Sequence, residues 1–336
     1  MRHVPLRAIV TGGTGFLGSH LIEALVARGD DVVCVGRPGG GGRRGWLADL
    51  PVGYADVGVN DAGRLAPLLE GADVVFHLAG RNHARSAAQL HALNTDGTAC
   101  VVRAAAVHGA AAPHLVFASS IAAVGPCRDG ESLSPDSTPA PVSCYGRSKI
   151  LAEAVLHAFA DRVPTTIVRL PSVYGPRDRG LFKLFRLIQS GVALTIGSWD
   201  REVSLIHVSD LVQGLLLAAT HRAEPSGRIY YLAHPEQVTW RAFARTAGEA
   251  LGRDPLLVSV PGRLARALAL GFETVAALRH TSTSLNRERA LEIAQQRWVC
   301  DPSRAITELG FTPRITIAQG IPETVAWYRD ARWLSR

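Results

Sequence analysis

One stretch constrains this chain more than any other: TGGTGFLG, Thr11 to Gly18, which joins a short apolar run to an apolar helical pattern. Ala8 to Thr11 reads as a buried strand, and Phe16 to about Arg28 as a helix. Between them Gly12, Gly15 and Gly18 form GxxGxxG. In such a turn the first glycine permits the tight bend, the second lets backbone approach a pyrophosphate, and the third lets the helix pack closely. Phe16 and Leu17 then open a helix whose first amides have no partner within it and can face phosphate charge. A glycine-rich turn alone is weak evidence. The strand before it and the helix after it make a dinucleotide the expected ligand.

The rest of the chain repeats the alternation. Val32 to Val35, Val74 to Leu78, Leu115 to Ser119 and Thr165 to Leu170 read as further strands, apolar throughout rather than alternating, as strands covered on both faces are. Ala87 to His108 and Cys144 to Asp161 read as helices. The expected fold is α/β: a Rossmann-type doubly wound parallel sheet with a smaller, discontinuous C-terminal substrate-binding lobe. Residues 1–175 are expected to be mainly dinucleotide-binding and 176–336 mainly substrate lobe, with about 200–235, including Val203 to His207 and Tyr230 to Leu232, returning to the large sheet. With 336 residues, such a two-part arrangement has ample core.

Composition narrows the class. The net charge of +7 is spread over 34 arginines and two lysines, so no basic tail or face points to nucleic acid. Cys34, Cys100, Cys127, Cys144 and Cys300 are odd in number, widely spaced and without metal-ligand spacing, which suits free thiols and no metal site. No apolar run is long enough to span a bilayer, and the N-terminus lacks the apolar stretch of a secretory signal; the expected location is cytoplasmic.

Cofactor choice should turn on the end of the second strand. A carboxylate there would bond both ribose hydroxyls and repel a 2′-phosphate. Gly36 leaves room instead, and Arg37 offers bidentate charge-assisted bonding, so NADP(H) is preferred, with NAD(H) the alternative. Arg43 and Arg44 either supplement this or belong to a solvated loop. After the third strand, Asp56 either meets the adenine amino group or caps a turn, with Val57 beside it in the cofactor set.

Tyr145 and Lys149, in YGRSK, lie four residues apart on an expected helix and so share one face. There the ammonium stabilises a tyrosinate and can hold the nicotinamide ribose. The choice of lysine is informative in a chain that otherwise uses arginine. Ser119 and Ser120 end the strand LVFASS near this helix, where a hydroxyl could orient a carbonyl or alcohol. A tyrosine so placed donates a proton in reduction and removes one in oxidation.

At these residues the chain resembles the extended short-chain dehydrogenase/reductase superfamily, often grouped as the NAD-dependent epimerase/dehydratase family. The resemblance rests on TGGTGFLG, HLAG at 77–80, NTDGT at 94–98, FASSIAAVG at 117–125, YGRSK, RLPSVYGPRD at 169–178 and IHVSDLVQG at 206–214. It implies Ser120, Tyr145 and Lys149 as the catalytic set, supported by Asn94, which otherwise marks a helix kink or cap. It implies Leu78, Ala79, Pro171 and Val173 along the cofactor, unless they are simply core. Gly36 departs from the acidic residue of NAD-preferring members.

The substrate follows less directly. Ser172 stands where nucleotide-sugar members often carry asparagine, and Ile121 where sugar dehydratases have an acidic partner. The apolar 264–278 segment is either a packed lid or dimer helix, or a cover for an apolar substrate or a membrane-surface contact. Arg81, His83 and Arg85 follow a strand end and are either substrate contacts or polar surface. His207 and Asp210 are expected to organise a turn, and Trp298 and Asp301 to belong to a closing strand and terminal helix. The chain looks similar to the 3β-hydroxysteroid dehydrogenase and dihydroflavonol reductase branches. The expected activity is oxidation or reduction of a hydroxyl or ketone on a bulky apolar small molecule. A nucleotide-sugar epimerase or dehydratase is the alternative, and a non-catalytic cofactor-binding protein ranks below it. A homodimer and a peripheral membrane contact are further possible partners.

Overall fold

The computed structural model describes residues 4–36, 45–82, 84, 86–221, 226–265, 267, 270 and 287–335. Its strands are β1 (Arg7–Thr11), β2 (Asp31–Gly36), β3 (Gly53–Asp56), β4 (Val74–His77), β5 (His114–Ser120), β6 (Thr165–Leu170), β7 (Ser172–Tyr174), β8 (Val192–Ile196), β9 (Glu202–His207), β10 (Arg228–Tyr231), β11 (Gln237–Thr239), β12 (Leu256–Val260) and β13 (Arg297–Trp298). The helices first needed are α1 (Phe16–Ala27), α2 (Ala62–Leu69), α3 (Ala87–His91), α4 (Gly97–Ala106), α5 (Cys144–His157), α6 (Phe182–Gln189), α7 (Val208–Thr220) and α8 (Trp240–Leu251).

Seven strands form one parallel sheet in the order β3-β2-β1-β4-β5-β6-β10. Side chains alternate across it, as the pleat requires. Ala8, Val10, Val32, Phe76, Val116 and Val168 pack on one face against α1 and α7. Ile9, Val35, Val75, Leu115, Phe117 and Ile167 pack on the other against α2, α4 and α5. The strand order reverses between β1 and its two neighbours β2 and β4, opening a crevice at the carboxyl ends of the strands.

Two expectations need correcting. Val203 to His207 does not extend the large sheet. It is β9, the centre of a second sheet with β7, β11 and β13. Pro171 has no N–H for the ladder and ends β6, so the chain turns out into β7, while β10 occupies the edge beside β6. Of the 200–235 stretch, α7 and β10 therefore join the large sheet's layers and β9 does not. The long helix expected over 87–108 is also interrupted: a π turn, Ala92–Asp96, separates α3 from α4. Such turns recur at functional sites.

The second sheet packs its aromatic side chains with α6, α8 and the Ile317–Asp330 helix. Phe185 lies edge-on to Phe243 and Tyr328, with ring centres 5.7 and 5.4 Å away. The loop after β7 ties this lobe to α1: Arg177 donates to Glu23 at 2.6 Å, and the Pro176 carbonyl lies 2.9 Å from the His20 ring. Among the described residues no helix is long and apolar enough to cross a membrane, and all five cysteines are free thiols.

Candidate active site

The crevice opens on the glycine turn. Gly12 has φ +75°, and a Cβ there would lie 2.8–2.9 Å from the Leu78 and Ala79 backbone. At Gly18 a Cβ would lie 2.4 Å from the Gly12 carbonyl oxygen. At Gly12 and Gly18 the turn is therefore packed backbone to backbone with no room for a side chain. Gly15 caps α1 without a side-chain bond, and no acidic residue occupies the first turn, so the helix presents its amides uncompensated. They face a cavity of about 780 Å³ whose wall includes Gly12, Gly15, Phe16, Leu17 and Gly18 from the turn, Gly36, Val57, and Leu78 to Asn82. This cradle fits the pyrophosphate of a dinucleotide.

At the far end of β2, no described residue lies within 4 Å of where a Gly36 side chain would begin. Arg37, Arg43 and Arg44 lie outside the described residues. Asp56 is exposed and its carbonyl accepts from Arg64 at 3.1 Å; the neighbouring Val57, not Asp56, belongs to the cavity wall.

Ser143 begins α5 by accepting the Gly146 amide at 3.0 Å. A Cβ at Gly146 would fall 2.1 Å from the Ala122 carbonyl oxygen, so this glycine lets the helix press against the turn after β5. Tyr145 and Lys149 follow one turn apart. The Lys149 ammonium is buried, donates to the Ala118 carbonyl at 2.8 Å and sits 4.6 Å from the centre of the Phe117 ring. Burial lowers its pKa to about 8, with the Glu153 carboxylate opposing the fall.

A second cavity, about 410 Å³, adjoins the first and shares Phe16, Asn82 and Tyr145 with it. Ser120 lines it; its hydroxyl accepts the Ala122 amide at 3.2 Å and caps the turn Ile121–Ala123. Ser119, expected as a substrate contact beside it, faces the other side of β5 because successive residues of a strand alternate. Its hydroxyl donates to Glu153, and Ser119 lines the larger cavity instead. Glu153 in turn holds Arg169 through two bonds, 3.2 and 2.8 Å, with both side chains 2% exposed.

Asn94 sits in the π turn and is fully buried. It accepts the Arg81 amide at 2.9 Å and donates to the Arg81 carbonyl at 2.8 Å and to the Ser148 hydroxyl at 2.9 Å. Ser148 donates to the Tyr145 carbonyl at 2.7 Å. Asn94 thus couples the segment after β4 to the helix bearing Tyr145. His77 adds a parallel chain. Thr98 spends its proton on the Asn94 carbonyl at 2.6 Å, so His77 Nε2 must donate to Thr98, and Nδ1 accepts from Thr11 at 2.7 Å. Burial, helped by the Lys149 charge, lowers the pKa of His77 to about 3 and keeps it neutral.

Other expected residues are distributed differently. Leu170 lines the larger cavity, but Pro171, Ser172 and Val173 line the smaller one, since β7 has already left the sheet. Pro171 and Val173, expected along the cofactor, are thus on the second cavity's wall. Arg81 lines the larger cavity; His83 and Arg85 lie outside the described residues. His207 accepts the Ser209 amide at 3.4 Å to start α7, and Asp210 accepts the Arg314 and Ile315 amides, so both serve the turn. No metal-ligating group of three occurs among the described residues.

Sequence reading passed over Arg201, Trp240, Asp178 and Glu292, all on the second cavity's wall. They come from the loop before β9, α8, the loop after β7 and the Arg287–Ala294 helix, so no spacing links them. Trp298 joins them and donates to the Glu292 carbonyl at 3.0 Å. Of the apolar 264–278 segment, Leu264 and Leu270 are exposed; most of the remainder lies outside the described residues.

The model of the NAD dependent epimerase/dehydratase family matches residues 8–233. A ceramide reductase of Caulobacter vibrioides is 29% identical over 97% of this chain and 96% of its own. A 4-hydroxy-2-methyl-3-oxo-4-farnesyl-3,4-dihydroquinoline-1-oxide ketoreductase of Stigmatella aurantiaca is 30% identical over 94% of this chain and 95% of its own. Among solved structures, the dTDP-glucose 4,6-dehydratase DesIV of Streptomyces venezuelae, with NAD and TYD bound, superposes with a TM-score of 0.78 at 24% identity. It covers 98% of this chain and 99% of its own, a likeness in fold.

Proposed function

Because the chain belongs to the NAD dependent epimerase/dehydratase family, an enzyme family of extended short-chain dehydrogenase/reductases, we propose that it interconverts a ketone and an alcohol on a bulky, largely apolar compound. The observation that carries this reading is Tyr145 at the junction of the two cavities, one with a dinucleotide cradle and one whose wall mixes apolar and polar side chains. A nicotinamide dinucleotide held by the glycine turn would supply or accept the hydride. Tyr145 gives its phenolic proton to the carbonyl oxygen in reduction and takes it back in oxidation. Ser120, whose hydroxyl accepts a backbone amide, keeps its own proton to donate to the same oxygen. Lys149, whose pKa burial lowers to about 8, is still mostly charged at pH 7, lowers the cost of a tyrosinate and holds the ribose. Asn94 positions the start of α5.

Two relatives at 29–30% identity are named as reductases of a ceramide and of a farnesyl-bearing ketone, which favours a lipid-like substrate body. Ile121, Val173, Leu181, Trp240 and Trp298 on the second cavity's wall suit one. The absence of any described neighbour within 4 Å of a Gly36 side chain, together with Arg37 in the sequence, favours NADP over NAD.

The test is product analysis with a panel of long-chain and isoprenoid ketones. Consumption of one NADPH per alcohol formed supports the oxidoreductase. Interconversion of nucleotide-sugar epimers without net cofactor change would overturn it. Titration of both cofactors against the native protein and R37A tests the preference, with NADP affinity falling more than NAD affinity.

A further inference from the structure

Arg201 begins the chain's passage into β9 and is 3% exposed, on the wall of the cavity that also holds Ser120 and Tyr145. Its Nε donates to the Ser198 carbonyl at 2.6 Å and its Nη2 to the Thr195 hydroxyl. A guanidinium has five N–H donors. Neither bond engages Nη1, and no carboxylate among the described residues forms an ion pair with Arg201. Burial alone acts on its ionisation and disfavours the charge. The other deeply buried arginines are treated differently: Arg169 is clasped by Glu153, and Arg297 pairs with Glu202. A cation removed from water without a counter-charge is costly and is ordinarily retained for a partner.

Two carboxylates share the wall but are engaged elsewhere. Asp178 accepts the Gly180 and Leu181 amides at 2.7 and 2.9 Å, and Glu292 accepts from Ser143. The two acids oppose any anion here, a phosphate dianion more than a carboxylate, so an anion must be held by direct bonds to the guanidinium. The planar fork matches a carboxylate with two parallel N–H bonds.

We infer that Arg201 anchors a carboxylate carried by the substrate apart from its reacting carbonyl, so that the enzyme acts on an apolar keto or hydroxy acid. Treating this cavity as the substrate site rests on the oxidoreductase reading above, and the test separates the two. Decanoate and decan-1-ol share a chain and differ in charge; each is titrated calorimetrically into the native protein saturated with NADP. Native protein should favour decanoate. R201M should lose about tenfold or more of that affinity and bind the alcohol as before. R201K, retaining the charge, should recover part of it. R201Q keeps an amide donor for Ser198 and removes the charge, so it reports the same loss if R201M fails to fold.

Equal decanoate affinity in native and R201Q proteins overturns the inference, as does no binding or a parallel loss of acid and alcohol, which marks a role confined to tying the loop before β9. Arg201-dependent decanoate binding without turnover of any keto acid by NADPH leaves the carboxylate site standing and removes the oxidoreductase reading instead.

Discussion

Gly18→Ala sets two opposing effects against each other. Position 18 lies inside α1, where alanine is favoured over glycine by about 1 kcal/mol of helix propensity. Against that, the new Cβ would sit 2.4 Å from the Gly12 carbonyl oxygen and 2.6 Å from the Gly13 Cα, about 1 Å inside ordinary contact. Both are backbone atoms and cannot rotate away, so α1 or the turn must move. Overpacking costs about 1–3 kcal/mol, and a clash with two backbone atoms belongs at the upper end, about 2–3 kcal/mol, which outweighs the propensity gain. Unfolding free energy should fall by about 1–2 kcal/mol, read from chemical denaturation of the apoprotein. The same displacement shifts the α1 amides relative to the phosphates, so dinucleotide affinity by calorimetry should fall about tenfold or more, equal to about 1.4 kcal/mol. Gly36→Ala, with no described residue within 4 Å of its Cβ, should change stability by less than about 0.5 kcal/mol. A G18A protein as stable as the native one, with unchanged affinity for NAD and NADP, would falsify the backbone-contact argument.

Three further outcomes follow from the site. Y145F should fold and bind cofactor but lose about a hundredfold or more in kcat, since it removes only the proton donor; near-normal turnover refutes that role. Lys149 is charged below about 8 and neutral above, so turnover should decline as pH rises through 8. Because the folded pKa lies below the unfolded 10.5, the folded state binds fewer protons between the two values, and the lysine's contribution to apoprotein stability should rise with pH across that window. A flat pH–activity profile, or no difference between native and K149M proteins in that stability window, counts against it. E153M leaves the Arg169 charge buried alone and should cost about 3–5 kcal/mol in chemical denaturation, while E153M with R169M should cost clearly less; additive losses would refute the pairing.

The features legible in local order are those whose physics is local. The turn at Gly12, Gly15 and Gly18 follows from chain geometry over eight residues, and strand β1 and helix α1 appear on either side of it. Tyr145 and Lys149 share a helix face because four residues make one turn. The parallel sheet follows from strands apolar on both faces, as the two clusters flanking it require.

Tertiary structure decided everything that depends on which strand finds which neighbour. The apolar run of β9 would suit either sheet; β10 beside β6 and the proline after β6 sent it to the second. Ser119 and Ser120 are adjacent in sequence, yet the pleat turns one toward Glu153 and the other toward the smaller cavity. That a long helix should break at Asn94 became meaningful only once the Arg81 backbone and Ser148 were there to receive its amide. Arg201 is one of 34 arginines, and nothing in its neighbours along the chain marks it. Only folding removed it from water on the cavity wall that Tyr145 shares, with no carboxylate among the described residues paired to it, because desolvation and pairing are properties of the surroundings in space and are not encoded at the residue itself.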